Sequence, residues 1–243
     1  MTPAGEIIRQ MRELPFADLN AIAPGKSLIL APHPDDETLG CGGFVIEACN
    51  RGRAPLIVAV TDGAGSHPGS TAYPPERLKA LRAAELRSAA EILGVPEQNV
   101  RFLGLPDTRV PRAGPDFERA AQAVATMIRD HSVANLLASW THDPHGDHEA
   151  TAFIASRVAQ IGRVRLLFYP VWGWLLPPEQ PLPFSLVRGA RLDVGRVREQ
   201  KWRALAAHAS QYSGLITDDT QGFQLPQDLL AIADLDYEVF LEG

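Results

Sequence analysis

Cysteine is scarce: the 243 residues hold two, Cys41 and Cys49. Two are too few for a disulfide scaffold, and both fall in one expected helix, so they read as free thiols. No basic block occurs, and 23 Lys and Arg against 29 Asp and Glu leave a net charge of -6. Phosphate binding leans on clustered cations, so a nucleic-acid partner is not expected. No apolar run is long enough to span a bilayer, which argues against a membrane partner. The opening MTPAGEIIRQMRELPF lacks a basic start followed by an apolar stretch, so no secretory signal is read there. The cytoplasm is the expected location. Repeats, low-complexity tracts and linkers are missing too, which makes residues 1–243 one domain in the simplest reading. The number of subunits is left open, a homo-oligomer included. What is present is ordinary: 45% hydrophobic and 21% charged residues, in a chain long enough to bury a core without staples.

Strand-like and helix-like segments alternate. Ser27–Pro32, Pro55–Thr61, Val100–Leu103, Ala134–Trp140 and Val164–Val171 read as strands. Between them, helices are expected from about Glu37 to Arg51, Pro75 to Leu93, Pro115 to His131 and His148 to Ile161. Continuous apolar strands alternating with helices imply an α/β fold: a Rossmann-like three-layer sandwich with a mostly parallel sheet. Residues 175–190 are rich in proline and read as a loop or flap. Gly195–Tyr212 reads as a helix, and Tyr237–Leu241 as a short strand.

Ligands bind beyond the carboxyl ends of strands in such a sheet. The first strand runs into His33-Pro34-Asp35-Asp36-Glu37. The strand ending at Trp140 runs into Thr141-His142-Asp143-Pro144-His145-Gly146-Asp147-His148. Together these two segments hold four of the seven histidines and five acidic residues. His33 and Asp36, three apart at a strand-to-helix turn, can point at one centre, and His148 opens the next helix. Two imidazoles and one carboxylate with an open fourth position form a catalytic zinc set; Fe(II) or Mn(II) would also suit these donors. Asp35 can accept a proton from a metal-bound water. His145 can face the reacting carbonyl, with Asp147 or Asp143 holding its tautomer or raising its pKa. The bland alternatives are helix capping by the acids and solvated histidines. Three adjacent carboxylates repel, however, and a divalent cation relieves them.

APHPDDETLGCGG resembles the signature of the PIG-L/LmbE family of N-acetylglucosaminyl deacetylases, and HGDH resembles that family's second motif. TDGAG, LRAAELRSAAEILGV, FLGLPD and KWRALAAHASQ look like further family segments, so the resemblance covers nearly the whole chain. It implies a Rossmann-like fold, Zn2+ at His33, Asp36 and His148, a general base at Asp35, and an oxyanion-side His145 tuned by Asp147. In that reading His145 is protonated. The substrate implied is a small-molecule N-acetyl amino sugar or its conjugate. An amidase acting on a thiol conjugate or a non-sugar N-acyl compound would carry the same two motifs. One departure stands out: some members have a tyrosine where this chain has Asp143.

Other features are weaker. Gly40-Cys41-Gly42-Gly43 suggests a dinucleotide fingerprint, but Val45 occupies the third glycine position. These glycines read instead as close helix packing. A structural zinc site would want its cysteines near the other ligands, and they are not. In the Pro75–Leu93 helix, Leu78, Leu81, Leu86, Ala89, Ile92 and Leu93 form a stripe that contains Arg82 and Glu85. Either these two pair internally, or Arg82 reaches the site and binds sugar hydroxyls, with Glu85 orienting it and Asp107 as companion. The resemblance favours substrate contacts at Arg82 and Asp107, in a pocket shared with the 175–190 loop. Lys201 and His208 are polar intruders on the apolar face of the late helix, and His208 reads as a core histidine. Trp172 and Trp174 read as core or as sugar-stacking surfaces. His67 is left undecided between pocket and surface.

Overall fold

The computed structural model describes residues Met1–Gly243. In chain order the elements are β1 (Thr2–Pro3), α1 (Ala4–Glu13), α2 (Leu19–Ile22), β2 (Ser27–Ala31), α3 (Asp36–Asn50), β3 (Leu56–Thr61), α4 (Pro75–Leu93), β4 (Val100–Leu105) and α5 (Pro115–Asp130). They continue with β5 (Asn135–Ser139), α6 (Gly146–Gly162), β6 (Arg165–Tyr169), β7 (Pro181–Leu182), β8 (Gly189–Asp193), α7 (Arg198–Ala206), α8 (Ala209–Tyr212), α9 (Gln227–Ala233) and β9 (Tyr237–Glu242).

Seven strands form the main sheet in the order β4-β3-β2-β5-β6-β9-β8. The first five run parallel, and β9 and β8 add an antiparallel edge. Every residue of β2, SLILA, is buried, as is every residue of β3, because helices cover both faces. Ile29 packs into one apolar core with Phe44, Leu86 and Leu205. Its neighbours Leu28 and Leu30 point the other way, into a second core with Val124, Ile154 and Ile7. The expected mixed α/β, mostly parallel fold is the observed one.

The strand order positions the site. From β2 the chain winds outward through β3 to β4, then returns to lay β5 on the other side of β2. The loops after β2 and β5 therefore diverge at a topological switch point and leave a crevice between them. Both motifs sit in that crevice. Close packing beneath it depends on glycine: a Cβ on Gly40 would lie 2.2 Å from the ring of Tyr169. That ring, fully buried, donates its hydroxyl hydrogen to Leu30 O at 3.1 Å.

Three expectations are corrected. The 175–190 stretch is no flap over the cleft. It packs beside the cleft instead, with β7 paired to β1 and the Phe184 ring 4.9 Å from that of His142, and none of its residues lines the cleft. It gives way to β8 at Gly189. The helix expected over Gly195–Tyr212 is broken: α7 ends at Ala206, and α8 restarts at Ala209. The break turns His208 inward, and Glu85 supplies the cap for the new start, accepting from Ser210 N at 2.7 Å and Ser210 Oγ at 2.6 Å. Glu85 therefore neither pairs with Arg82 nor orients it. No helix is long and apolar enough to cross a membrane.

Candidate active site

The turn after β2 begins with His33. Asp35, buried two residues on, has φ 147°, ψ −27°. A residue with a Cβ is strained there, and such strain persists where surroundings over-determine it. Asp35 does not cap α3. Its carboxylate instead accepts from Arg82 Nη2 at 3.1 Å. Arg82 is 3% exposed and spans the turn, donating also to Pro34 O and Gly63 O, each at 3.0 Å. Gly63, at φ 68°, leaves the space: a Cβ there would meet the Arg82 side chain at 2.9 Å. Burial raises the Asp35 pKa to about 6; the Asp36 charge adds to this, and Arg82 opposes it.

Asp36 is the hub. One oxygen, Oδ2, accepts from His33 N at 2.9 Å and lies 3.1 Å from His33 Nδ1 and 3.2 Å from His148 Nε2. Burial alone would raise its pKa. The His148 charge and both imidazoles overcome that and hold it far below the usual carboxylate range. His148 opens α6 and is fully buried. Asp143 sits 2.9 Å from its Nδ1. Asp143 is in turn fixed by the backbone N–H groups of Val171, Trp172 and Gly173. On its other side His33 presents Nε2 to Asp107 and Asp147, each at 3.2 Å. Against the opposing effect of burial, these carboxylates raise the His33 pKa well above its ordinary value, and Asp36 with Asp143 raises His148 to about 9.

These donors fit a divalent metal. His148 Nε2 is buried and makes no hydrogen bond, although Asp36 Oδ2 is close by. Ligand atoms at about 2.0–2.1 Å from a tetrahedral ion stand roughly 3.3 Å apart, close to the spacings around Asp36 Oδ2. Each imidazole turns its other nitrogen to a carboxylate, the usual support for a metal-binding histidine. One nitrogen each of His33, His145 and His148 also lies within 4.8 Å of the others. The cluster could therefore hold a metal ion.

Two expected roles change. Asp147 does not reach the His145 ring with its carboxylate. That group accepts from Thr108 N at 2.7 Å and Val110 N at 3.1 Å and faces His33, because α6 begins here and turns the side chain back toward the loop after β4. Only the backbone N–H of Asp147 meets His145, donating to Nδ1 at 3.2 Å. Nδ1 thus carries a lone pair, and the neutral ring keeps its proton on Nε2. Burial, then the charges of His33 and His148, push the His145 pKa below its ordinary value. Both observations run against the expected imidazolium. Asp143, in turn, orients His148 rather than His145.

A cleft of about 450 Å³ opens over this centre, lined by His33, Asp35, Asp36, Arg82, Asp107 and His145 among others. Arg82 and Asp107 both reach it, but each is already engaged: Asp107 accepts from Gly65 N at 2.9 Å as well as facing His33. His67 is buried against Gly222 rather than lining the cleft. Of the tryptophan pair, Trp172 lines the cleft and Trp174 is core. Gln211, Gln221, Phe223 and Leu225 complete the rim. Nothing local in the sequence marked those four. His208 is a core histidine, 3.3 Å from Glu37 Oε1, and Lys201 pairs with Glu238 at 2.9 Å.

The chain is similar to known proteins along most of its length. The chain is 27% identical over 260 residues to 1D-myo-inositol 2-acetamido-2-deoxy-alpha-D-glucopyranoside deacetylase of Mycobacteroides abscessus, covering 89% of this chain and 91% of that one. It is 29% identical over 199 residues to a probable N-acetyl-alpha-D-glucosaminyl L-malate deacetylase 2 of Bacillus anthracis, with 79% and 83% covered. The fold is shared with N,N'-diacetylchitobiose deacetylase from Pyrococcus horikoshii, at TM-score 0.64 and 19% identity over 93% of this chain and 80% of the other. A family model described as PIG-L, GlcNAc-PI de-N-acetylase, matches residues 28–159, which include both motifs and more than half of the chain. The chain belongs to the PIG-L family.

Proposed function

We propose that the protein is a metal-dependent hydrolase that removes the acetyl group from the amine of an N-acetylglucosamine-type sugar or its conjugate. The similar proteins named above are deacetylases of such compounds. The observation that carries the proposal is His148 Nε2, a buried nitrogen without a hydrogen-bond partner, facing Asp36 and flanked by His33. His33, Asp36 and His148 would hold the ion, and zinc suits two imidazoles with one carboxylate. When bound, such an ion acidifies a water and polarises a carbonyl oxygen.

The residues divide the remaining work. Asp35, held by Arg82 at the cleft edge, takes the proton of the attacking water. Its pKa of about 6 suits a base that works near neutrality and can later return the proton to the leaving amine. His145 donates from Nε2 to the oxygen that gains negative charge, a contact typically worth about 3–4 kcal/mol. Its tautomer is held by the N-terminus of α6, whose backbone N–H donates to Nδ1. A helix N-terminus disfavours an imidazolium, so a neutral ring is the form that polarises the carbonyl. Asp107 and Asp147 steer His33, and Asp143 steers His148. Residues 1–243 act as one unit in this reading, because the cleft draws on positions from His33 to Leu225.

The test is acetate release from N-acetylglucosamine glycosides, with metal content measured on the same sample. Chelation should stop release and zinc should restore it. Full activity in demonstrably metal-free protein would sink the proposal.

A further inference from the structure

One side of the cleft has no part in the chemistry above. Trp172 and Phe223 stand there edge to face, ring centroids 5.9 Å apart, and Leu39 and Leu225 extend the apolar surface. Both aromatic residues are half-buried. The wall is fixed from two directions. Trp172 N donates to Asp143, the same carboxylate that orients His148, which ties the ring to the centre. Phe223 N donates to Ser66 O at 2.8 Å, and Leu225 N to Gln211 O at 2.9 Å. The loop before Phe223 is pinned again: Asp218 accepts from Ser70 Oγ, Thr71 N and Ala72 N, and Asp219 from Gly69 N. A wall held this way loses little conformational entropy when a ligand lands on it.

Charge narrows what can land. Arg82 is the one Lys or Arg among the residues lining the cleft, and both its terminal nitrogens are committed to Asp35, Pro34 and Gly63. An anionic substituent would be desolvated on this wall with no cation to meet it. The volume of about 450 Å³ falls in the range of sites that enclose a drug-sized ligand, so a sugar leaves room for a substituent.

We propose that the substrate carries an uncharged apolar or aromatic aglycone, seated on the Trp172–Phe223 wall, and that anionic conjugates are disfavoured. This rests on the amino-sugar reading above. The experiment compares the benzyl, methyl and carboxymethyl glycosides of N-acetylglucosamine on the metal-loaded enzyme. The benzyl glycoside should exceed the methyl one in kcat/KM by roughly tenfold, the worth of one well-packed aromatic contact. The carboxymethyl glycoside should fall at or below the methyl one. Trp172→Ala should bring the benzyl-to-methyl ratio close to one, and Phe223→Ala should lower it, which decides the matter if the tryptophan variant does not fold. A carboxymethyl glycoside as good as the benzyl one, or a ratio untouched in the folded variants, overturns the proposal. If no glycoside loses acetate, the deacetylase reading fails and calorimetry decides the wall separately. Benzyl glucoside binding more tightly than carboxymethyl glucoside, with the gain lost in Trp172→Ala, upholds it; equal binding overturns it.

Discussion

Two clusters of charge are buried in this molecule, and they differ in completeness. Next to Cys41, where non-helical backbone kinks α3, Glu238 accepts from Gly43 N at 2.7 Å, Phe44 N at 2.8 Å and Lys201 Nζ at 2.9 Å. Neither of its carboxylate oxygens lacks a partner, and Lys201 is matched. Across the sheet's carboxyl edge the pairing is left open. His148 Nε2 and Arg82 Nε lack partners, Asp35 holds a strained backbone, and four carboxylates crowd two imidazoles. A closed buried network explains itself as structure. An open one, with His148 Nε2 unbonded beside Asp36, could hold a further group such as a metal ion.

The contrast can be broken most sharply at the proposed metal ligands. Asp36→Ala should remove bound metal and reduce acetate release to background, and His148→Ala should do the same. Elemental analysis beside the activity assay checks both effects. Metal retained in either variant would show that the open cluster is not the binding site. Asp35→Asn comes next. It keeps the shape, so metal should stay, while kcat falls by about 10²–10⁴, the usual worth of a positioned base. A kcat within a few-fold of the parent would remove Asp35 from the chemistry. The closed cluster should respond in the opposite sense. Glu238→Ala strands Lys201 and two backbone N–H groups, so stability should drop by about 3–5 kcal/mol in chemical denaturation. Metal content and kcat of the folded fraction should stay near the parent's. A kcat lost in step with stability would erase the distinction.

Legibility in the sequence follows the reach of each signal. β2 announces itself because four consecutive apolar residues, Leu28 to Ala31, need cover on both faces. α4 does so because Pro75 starts it and Gly94, at φ 90°, stops it. His33, Asp36 and His148 are readable because the motif letters and the strand ends coincide. What fails are pairings between distant segments. Asp147 turns to the loop after β4, and Asp143 takes His148 instead of His145. The break at His208 depends on Glu37 and Glu85, both more than a hundred residues away. Apolar periodicity runs straight through it. Phe223 reaches the cleft through contacts with distant segments: its N–H bonds to Ser66 O, and two aspartates pin its loop to residues 69–72. No local pattern carries that information.

The smallest effect expected is also the most specific to the open cluster. Burial, reinforced by the charge of Asp36, raises the Asp35 pKa to about 6, and Arg82 works against that rise. A base must be ionised to accept a proton, so activity should fall as pH drops through this value. Replacing Arg82 with methionine removes the opposing charge and leaves burial and repulsion in place. The Asp35 pKa then rises further, and the acid limb of kcat/KM should move to higher pH. Activity lost at neutral pH should return in part as the pH is raised. The same change also removes donors from Pro34 O and Gly63 O, which lowers the plateau by loosening the turn. Limb and plateau are separate readouts, so the two losses can be told apart. Lys201→Met removes an equally buried cation from the closed cluster and should leave the limb where it was. An acid limb that stays put in Arg82→Met would mean that some group other than Asp35 sets it.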